Sequence, residues 1–307
     1  GDMGYFPTPQ FEENGLQQLQ EIIAQNYNHP SVVMWGIYSL LQAKGDDASP
    51  YIRRLNDAAH RMDPTRPTVA CSNQDGGINF ITDLIVWQQD VGWEKGSPDD
   101  VSVWRNLLRR NWSHLASGVC YGQPGFPAHQ YNAVPPVSRT NWIPEQRQSR
   151  FHEAYAKNLE SDSLFWGQWV NNLFDYGSSR RPYGINGSGL MTQDRRERKD
   201  AYYLYRAMWN KSDTTLHLAD KRHRLRDTER QAFKVYSSAG MPTLRINGDS
   251  VALHRYADCQ YVTDTMTLQG IVWLDVSLGG RHDSRRFKID SGPRQPWLVG
   301  LRQTTGR

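Results

Sequence analysis

Apolar positions in the first two thirds of the chain alternate between two spacings. Leu16, Leu19, Ile22 and Ile23 fall three and four residues apart, which predicts a helix over residues 10–27, with Asn14-Gly15 as a cap or turn near its start. The stretch from Asn28 to Leu41 reads differently. Val32-Val33-Met34-Trp35 is a continuous apolar run that follows the turn signal His29-Pro30 and ends in Gly36-Ile37-Tyr38. A short run of β-branched and aromatic residues predicts a strand buried on both faces, as in a parallel sheet. A site is expected at its C-terminal end.

The same alternation continues downstream. A helix is expected over 50–61, with Ile52, Leu55 and Ala59 on one face, and Asp63-Pro64-Thr65-Arg66-Pro67 stops it. Strands are expected over 68–71 and 83–87, then a helix over 101–111 striped by Trp104, Leu107 and Leu108, then a strand over 117–121. A long loop, 122–144, precedes a helix over 145–159, a strand over 164–175 and a last helix over 198–209. Strands alternating with helices of this length mean βα units and a parallel sheet.

After Asn210-Lys211-Ser212-Asp213 the period changes to two. Phe233-Lys234-Val235-Tyr236, Thr243-Leu244-Arg245-Ile246 and Ile271-Val272-Trp273-Leu274 are separated by turns, and Asn247-Gly248-Asp249 is a hairpin signal. The fold class expected is therefore α/β followed by all-β. The domains are 1–212 and 213–307, and the second reads as an immunoglobulin-like β-sandwich.

Composition narrows the function. A charged fraction of 22% and a hydrophobic fraction of 38% over 307 residues are those of a folded globular chain. The net charge of +4 is spread out. Its densest basic runs, Arg180-Arg181 and Arg195-Arg196-Glu197-Arg198-Lys199, are short and mixed, so no nucleic-acid partner is expected. No stretch approaches the roughly 18 apolar residues that would suggest a membrane span. Cys71, Cys120 and Cys259 are far apart, odd in number and without metal spacing. Neither a metal nor a cofactor is expected. Gly1-Asp2-Met3 begins no signal peptide and reads as an internal start, which leaves the compartment open. Eleven Trp and fifteen Tyr are a heavy aromatic load that suits sugar faces as well as cores.

The motifs carry a resemblance. Asn28-His29-Pro30-Ser31 with Met34-Trp35-Gly36, then Tyr121-Gly122, Gly125 and His129-Gln130, then Trp166-Gly167, Asn172, Phe174-Asp175 and Gly177, stand in one order. Gly184-Ile185-Asn186-Gly187-Ser188-Gly189-Leu190-Met191-Thr192, Asp194-Arg195 and Lys199-Asp200-Ala201-Tyr202-Tyr203 follow. This order resembles glycoside hydrolase family 2, the β-galactosidase and β-glucuronidase group, over nearly the whole chain. Lys234-Val235-Tyr236-Ser237 and Leu244-Arg245-Ile246-Asn247-Gly248 resemble the β-domain that follows the barrel in bacterial members. The resemblance implies a partial (β/α)8 TIM-type barrel, strands four to eight, and leaves strands one to three without a counterpart. A complete barrel takes about 250 residues. The chain is then a piece of a longer protein, or another chain supplies the rest. A half-barrel leaves sheet edges open, so oligomerisation is expected as well. Bacterial members are often periplasmic or secreted.

Retaining glycosidases need two carboxyl groups about 5 Å apart, one to protonate the leaving oxygen and one to attack the anomeric carbon. The resemblance puts the acid/base at Leu40 and the nucleophile at Cys120, and neither is a carboxylate. Ser39 replaces the amide that would bind the sugar 2-hydroxyl, and Asn171 replaces a tryptophan that would wall the sugar. Trp169, two residues from Asn171, could stand in for that wall. Trp87, Tyr121, His129 and Asp175 are further substrate-binding candidates. A free cysteine is more often inert core than nucleophile. The reading favoured here is a carbohydrate-related glycosidase scaffold, β-galactosidase-like and without turnover. Two others stay open: an active β-glycosidase using displaced carboxylates, Asp90 and Asp175, and a non-catalytic interaction or structural fragment.

Overall fold

The computed structural model describes residues 3–42, 45–93, 95–130 and 142–291. The chain divides into two compact units. One gathers the described parts of 1–90, 102–121 and 161–170, the other those of 91–101, 122–160 and 171–307.

The first unit is built on a five-stranded, all-parallel sheet. Its strands are β1 (Trp35–Ser39), β2 (Thr68–Ser72), β3 (Leu84–Gln89), β4 (Ser117–Tyr121) and β5 (Phe165–Val170), side by side in chain order. Helix α1 (Pro9–Asn26) starts where the Thr8 hydroxyl accepts the Phe11 amide, with proline in its first turn, and buries Leu19 and Ile23. Helix α2 (Ser49–Met62) buries Tyr51, Ile52, Leu55, Ala58 and Ala59. These two helices share an apolar cluster with Trp35 and Leu41. On the same sheet, Ala70, Ile85 and Trp87 pack with Leu108 of helix α3 (Val101–Trp112), and Trp104 stacks on Phe165 at 5.8 Å.

Two strands differ from their expected bounds. β1 begins at Trp35, not at Val32. His29 and Val32 donate their amides to turn carbonyls at Asn26 and His29, and Arg66 Nε holds the Val32 carbonyl at 2.8 Å. The apolar run is thus spent partly on a turn. The ladder starts where the Trp35 amide finds Pro67 at 3.0 Å and its indole finds Asp63, also at 3.0 Å. β5 stops at Val170, short of Asp175. Residues 172–175 pair instead with 188–191, for example the Leu190 amide to the Asn172 carbonyl at 3.0 Å.

The second unit contains α4 (Glu145–Leu159), α5 (Asp200–Trp209) and two sheets of mainly antiparallel strands. The strands are β6 (Leu216–Leu218), β7 (Leu225–Arg226), β8 (Lys234–Ser237), β9 (Thr243–Ile246), β10 (Asp249–Val251), β11 (His254–Ala257), β12 (Gln260–Val262), β13 (Gly270–Leu278) and β14 (Arg281–Ile289). One sheet runs β6-β8-β12-β11 and the other β7-β14-β13-β9-β10. Leu218, Val235, Leu244, Val272, Leu274 and Phe287 of the two sheets form one buried core. That is sheet-on-sheet packing. At the β9–β10 turn Asn247 and Gly248 both take positive φ, 53° and 97°, which a two-residue primed turn demands. α5 starts at Asp200 rather than Arg198, because Lys199 is extended at φ −77°, ψ 166°.

Candidate active site

Successive residues of a strand face opposite sides of its sheet. Ala70, Ile85, Trp87 and Phe165 mark the face covered by α3. Cys71 and Gln88 therefore face the other way, as does Cys120, which lies opposite Gln88 and Trp169 in the register. Ser39, opposite Cys71 at the end of β1, completes the row.

The row has a specific electrostatic character. Burial pushes the Cys120 thiol up to about 12, and the neighbouring Cys71 and Asp90 push the same way. A thiol with that pKa is ionised to only about one part in 10⁵ at pH 7, and the thiolate is the nucleophilic form. Burial also raises Cys71, against a hydrogen bond from Ser39. All three cysteines are free thiols. With β3 between their strands, and Cys71 level with Gly118 rather than Cys120 in the register, the two thiols are more than one strand apart, which is too far for a disulfide. Asp90 accepts from Gln88 Nε2 at 3.2 Å.

Leu40 closes β1 in an unusual conformation. Its φ is 51°, in the left-handed region, and its amide donates to the Cys71 carbonyl at 2.9 Å. The left-handed region costs a side-chain-bearing residue about 1 kcal/mol or more, and such outliers gather at functional sites.

Trp169 is 38% exposed and so is Trp166, whose ring lies 4.8 Å away, edge to face. Residues three apart on a regular strand would face opposite sides. The register shifts between Ser117 and Val119 against β5, so that Trp166 and Gly167 both oppose Gly118, and this bulge swings the two indoles to one face. Space for Trp169 comes from two glycines. A Cβ on Gly167 would meet its ring at 2.5 Å, and one on Gly118 would meet it at 2.7 Å.

Several expected contact residues turn out to be occupied elsewhere. Trp87, 5% exposed, lies in the helix-side core and donates its indole N–H to Ser117 Oγ at 3.2 Å. Tyr121 is fully buried and its hydroxyl donates to Gln168 Oε1 at 3.1 Å. Tyr121 offers no surface to a ligand, and the little that Trp87 exposes lies on the helix side with Trp104 and Leu108; a large aromatic at a strand end gives no sign of which face it takes.

The remaining candidates belong to the second unit. His129 accepts the Ile143 amide on Nδ1 at 3.1 Å and stacks on Trp142 at 4.3 Å. Burial lowers its pKa, so it is a neutral clasp on this loop. Gln130 continues the clasp through Glu145 and Gln146. Asn171 is exposed. Asp175, 4% exposed, is paired with the fully buried Lys199 at 2.7 Å and accepts the Gly189 amide at 2.8 Å. Lys199 also donates to the Gly187 carbonyl at 2.8 Å. Burial pushes Asp175 up and Lys199 down, against their mutual attraction. A carboxylate so held is a structural anchor. Periodicity gave no sign of Lys199 as its partner, since the pair is 24 residues apart. Nor does periodicity mark Cys71 or Trp166 as members of this sheet face.

Among the described residues no group of three or more His, Cys, Asp or Glu side chains could hold a metal ion, and no helix is long and apolar enough to cross a membrane.

The family model for the TIM-barrel domain of glycosyl hydrolases family 2 matches residues 6–213. A β-glucuronidase of Bacteroides fragilis is 38% identical over 283 residues, covering 90% of this chain and 39% of its own length. Human β-glucuronidase is 22% identical over 224 residues, 67% of this chain and 34% of its own. Among solved structures, a Bacteroides fragilis protein assigned as a β-galactosidase superposes with a TM-score of 0.86 at 26% identity, over 94% of this chain and 45% of that one. The chain thus spans less than half the length of each of these relatives.

Proposed function

The chain belongs to glycosyl hydrolase family 2, and we propose that it is a saccharide-binding scaffold of that family that does not turn substrate over. In this reading 1–212 is part of a (β/α)8 barrel, strands four to eight, and 213–307 is an immunoglobulin-like sandwich. The ligand class is a β-glucuronide or β-galactoside, after the relatives. The missing strands come from the rest of a longer chain or from a partner subunit.

One observation carries the proposal. Where the family's acid/base and nucleophile would stand, at the ends of β1 and β4, are a leucine and a cysteine whose thiol is pushed up to about 12. Leucine has no proton to give, and general acid/base catalysis is worth about 10² to 10⁴ in rate. The thiol is protonated at any physiological pH, so the covalent route is closed too. Trp166 and Trp169 supply an exposed aromatic face for a sugar ring. A displaced pair of Asp90 and Asp175 is disfavoured by the commitment of Asp175 to Lys199.

The test is hydrolysis of a panel of aryl β-glycosides, glucuronide and galactoside included, by folded protein, followed by titration with glucuronate and galactose. No turnover is expected, with sugar binding that weakens in Trp169→Ala. Turnover that disappears in Asp90→Asn would overturn the proposal, and absence of any sugar binding would leave only an interaction or structural piece.

A further inference from the structure

The second unit contains a cavity of about 510 Å³, walled by α4 and by the four-stranded sheet of the sandwich. That volume falls in the usual range for small-molecule sites. Its buried part is a polar group. Lys234 Nζ donates to Glu153 Oε1 at 2.7 Å and stands 3.8 Å from Asp220, and the Tyr236 hydroxyl donates to the same Glu153 oxygen. Asp220 takes a left-handed backbone, φ 57°, which aspartate tolerates better than most residues. Lys234 keeps 23% of its side chain exposed and Asp220 keeps 17%, so both remain within reach of a ligand. On the more exposed part of the lining, Tyr256 is 41% accessible, with Lys157 Nζ 4.1 Å from its ring centroid. Arg150 and Arg230 also line the cavity and are exposed; the contact of Arg150 with Asp99 is 4.0 Å long.

We propose that this cavity binds an acidic saccharide, a hydroxyl-rich ring carrying a carboxylate. The proposal takes its ligand class from the lining, so it stands or falls apart from the reading of the sheet end. Four ligand classes can be compared against that lining. A compact anion such as phosphate would meet the carboxylates of Glu153 and Asp220 as it met the arginines. An amine would meet four cationic side chains, Arg150, Arg226, Arg230 and Lys234. A neutral sugar would satisfy Glu153, Asp220 and Lys234 through its hydroxyls but offer the two exposed arginines only hydroxyl oxygens, weaker acceptors than a carboxylate. A uronate engages most of the lining: hydroxyls on the buried polar group, an apolar ring face against Tyr256, and the carboxylate on the guanidinium groups of Arg150 and Arg230, in place of the long contact of Arg150 with Asp99; a guanidinium fork matches a carboxylate.

Calorimetric titration of the whole chain with trigalacturonate tests this, with the neutral trisaccharide maltotriose alongside at the same ionic strength. Binding of trigalacturonate is expected, unchanged in Trp169→Ala, weakened about tenfold or more in Arg150→Ala/Arg230→Ala, and weakened in Tyr256→Ala. All three sets of side chains are surface-exposed, so the variants should fold. Any of three results would overturn the proposal: no binding of trigalacturonate, equal binding of maltotriose, or displacement by inorganic sulfate, which would mean a simple anion site. Loss of binding in Trp169→Ala alone would assign the acid sugar to the sheet end instead.

Discussion

Two regions that carry the family resemblance are supported by the structure in opposite ways. Residues 184–203 are supported from within the fold. Lys199 neutralises Asp175, Gly189 donates to the same carboxylate, and a Cβ on Gly189 would sit 2.1 Å from the Asp175 amide. Gln148 Nε2 binds the carbonyls of Gln123 and Gly189 at 2.8 and 3.0 Å. The ends of β1 and β4 hold no such pair: an uncharged Leu40 and the free thiol of Cys120 stand there. Leu40 takes a φ of 51°, a region that disfavours a side chain. The difference teaches which part of a motif the fold itself requires. A buried charge cannot lose its partner alone, whereas neither Leu40 nor Cys120 carries a charge that the fold must neutralise.

The largest effect should come from breaking the supported region. Lys199→Met leaves Asp175 buried without its cation and should cost about 3–5 kcal/mol in urea unfolding. Lys199→Met with Asp175→Leu should recover much of that loss. A Lys199→Met protein as stable as the parent would erase the contrast.

Next comes a dependence on pH within the same unit. Burial lowers His152, fully enclosed beside Tyr205, to about 3. Its folded pKa lies below the unfolded value near 6.5, so the unfolded state binds the extra proton first. Stability should therefore fall as pH drops from about 6.5 towards 3, by as much as about 4 kcal/mol from this group. Unfolding midpoints measured across that window should flatten in His152→Gln.

The sheet end should respond more gently. Gly167→Ala pushes a methyl into the Trp169 ring and should cost about 1–3 kcal/mol, with a changed near-ultraviolet circular dichroism. Leu40→Gly should do the reverse, relieving the left-handed backbone and raising stability by about 1 kcal/mol, less whatever a more flexible unfolded chain takes back. A destabilised Leu40→Gly would mean that the leucine side chain is itself needed. Smallest of all is the chemistry of Cys120. Its alkylation by iodoacetamide should be slow at pH 7 and rise with pH towards about 12, followed by mass spectrometry of the labelled peptide.

Much of the architecture was legible in the pattern of residues. The helices over 10–27, 50–61, 101–111 and 145–159 lie within two residues of α1, α2, α3 and α4, and the first three carry an apolar stripe. The Asn247-Gly248 hairpin was legible for a local reason also, since few residues accept positive φ twice in succession. The misplaced starts of β1 and ends of β5 were decided by partners far along the chain, Arg66 for Val32 and residues 188–191 for residues 172–175.

The candidate site divides along the same line. The sequence alone determined that leucine stands at position 40 and cysteine at 120, the two residues on which the proposed absence of turnover rests. Residue type is a property of the chain and needs no fold to be read. Only the tertiary structure decided that Trp87 and Tyr121 are core, that a bulge brings Trp166 and Trp169 to one face, and that Asp175 is bound to Lys199. Side-chain direction on a strand reverses with every residue, so one bulge changes which side chains meet. A buried charge is set by whichever partner the fold brings to it, however distant in sequence.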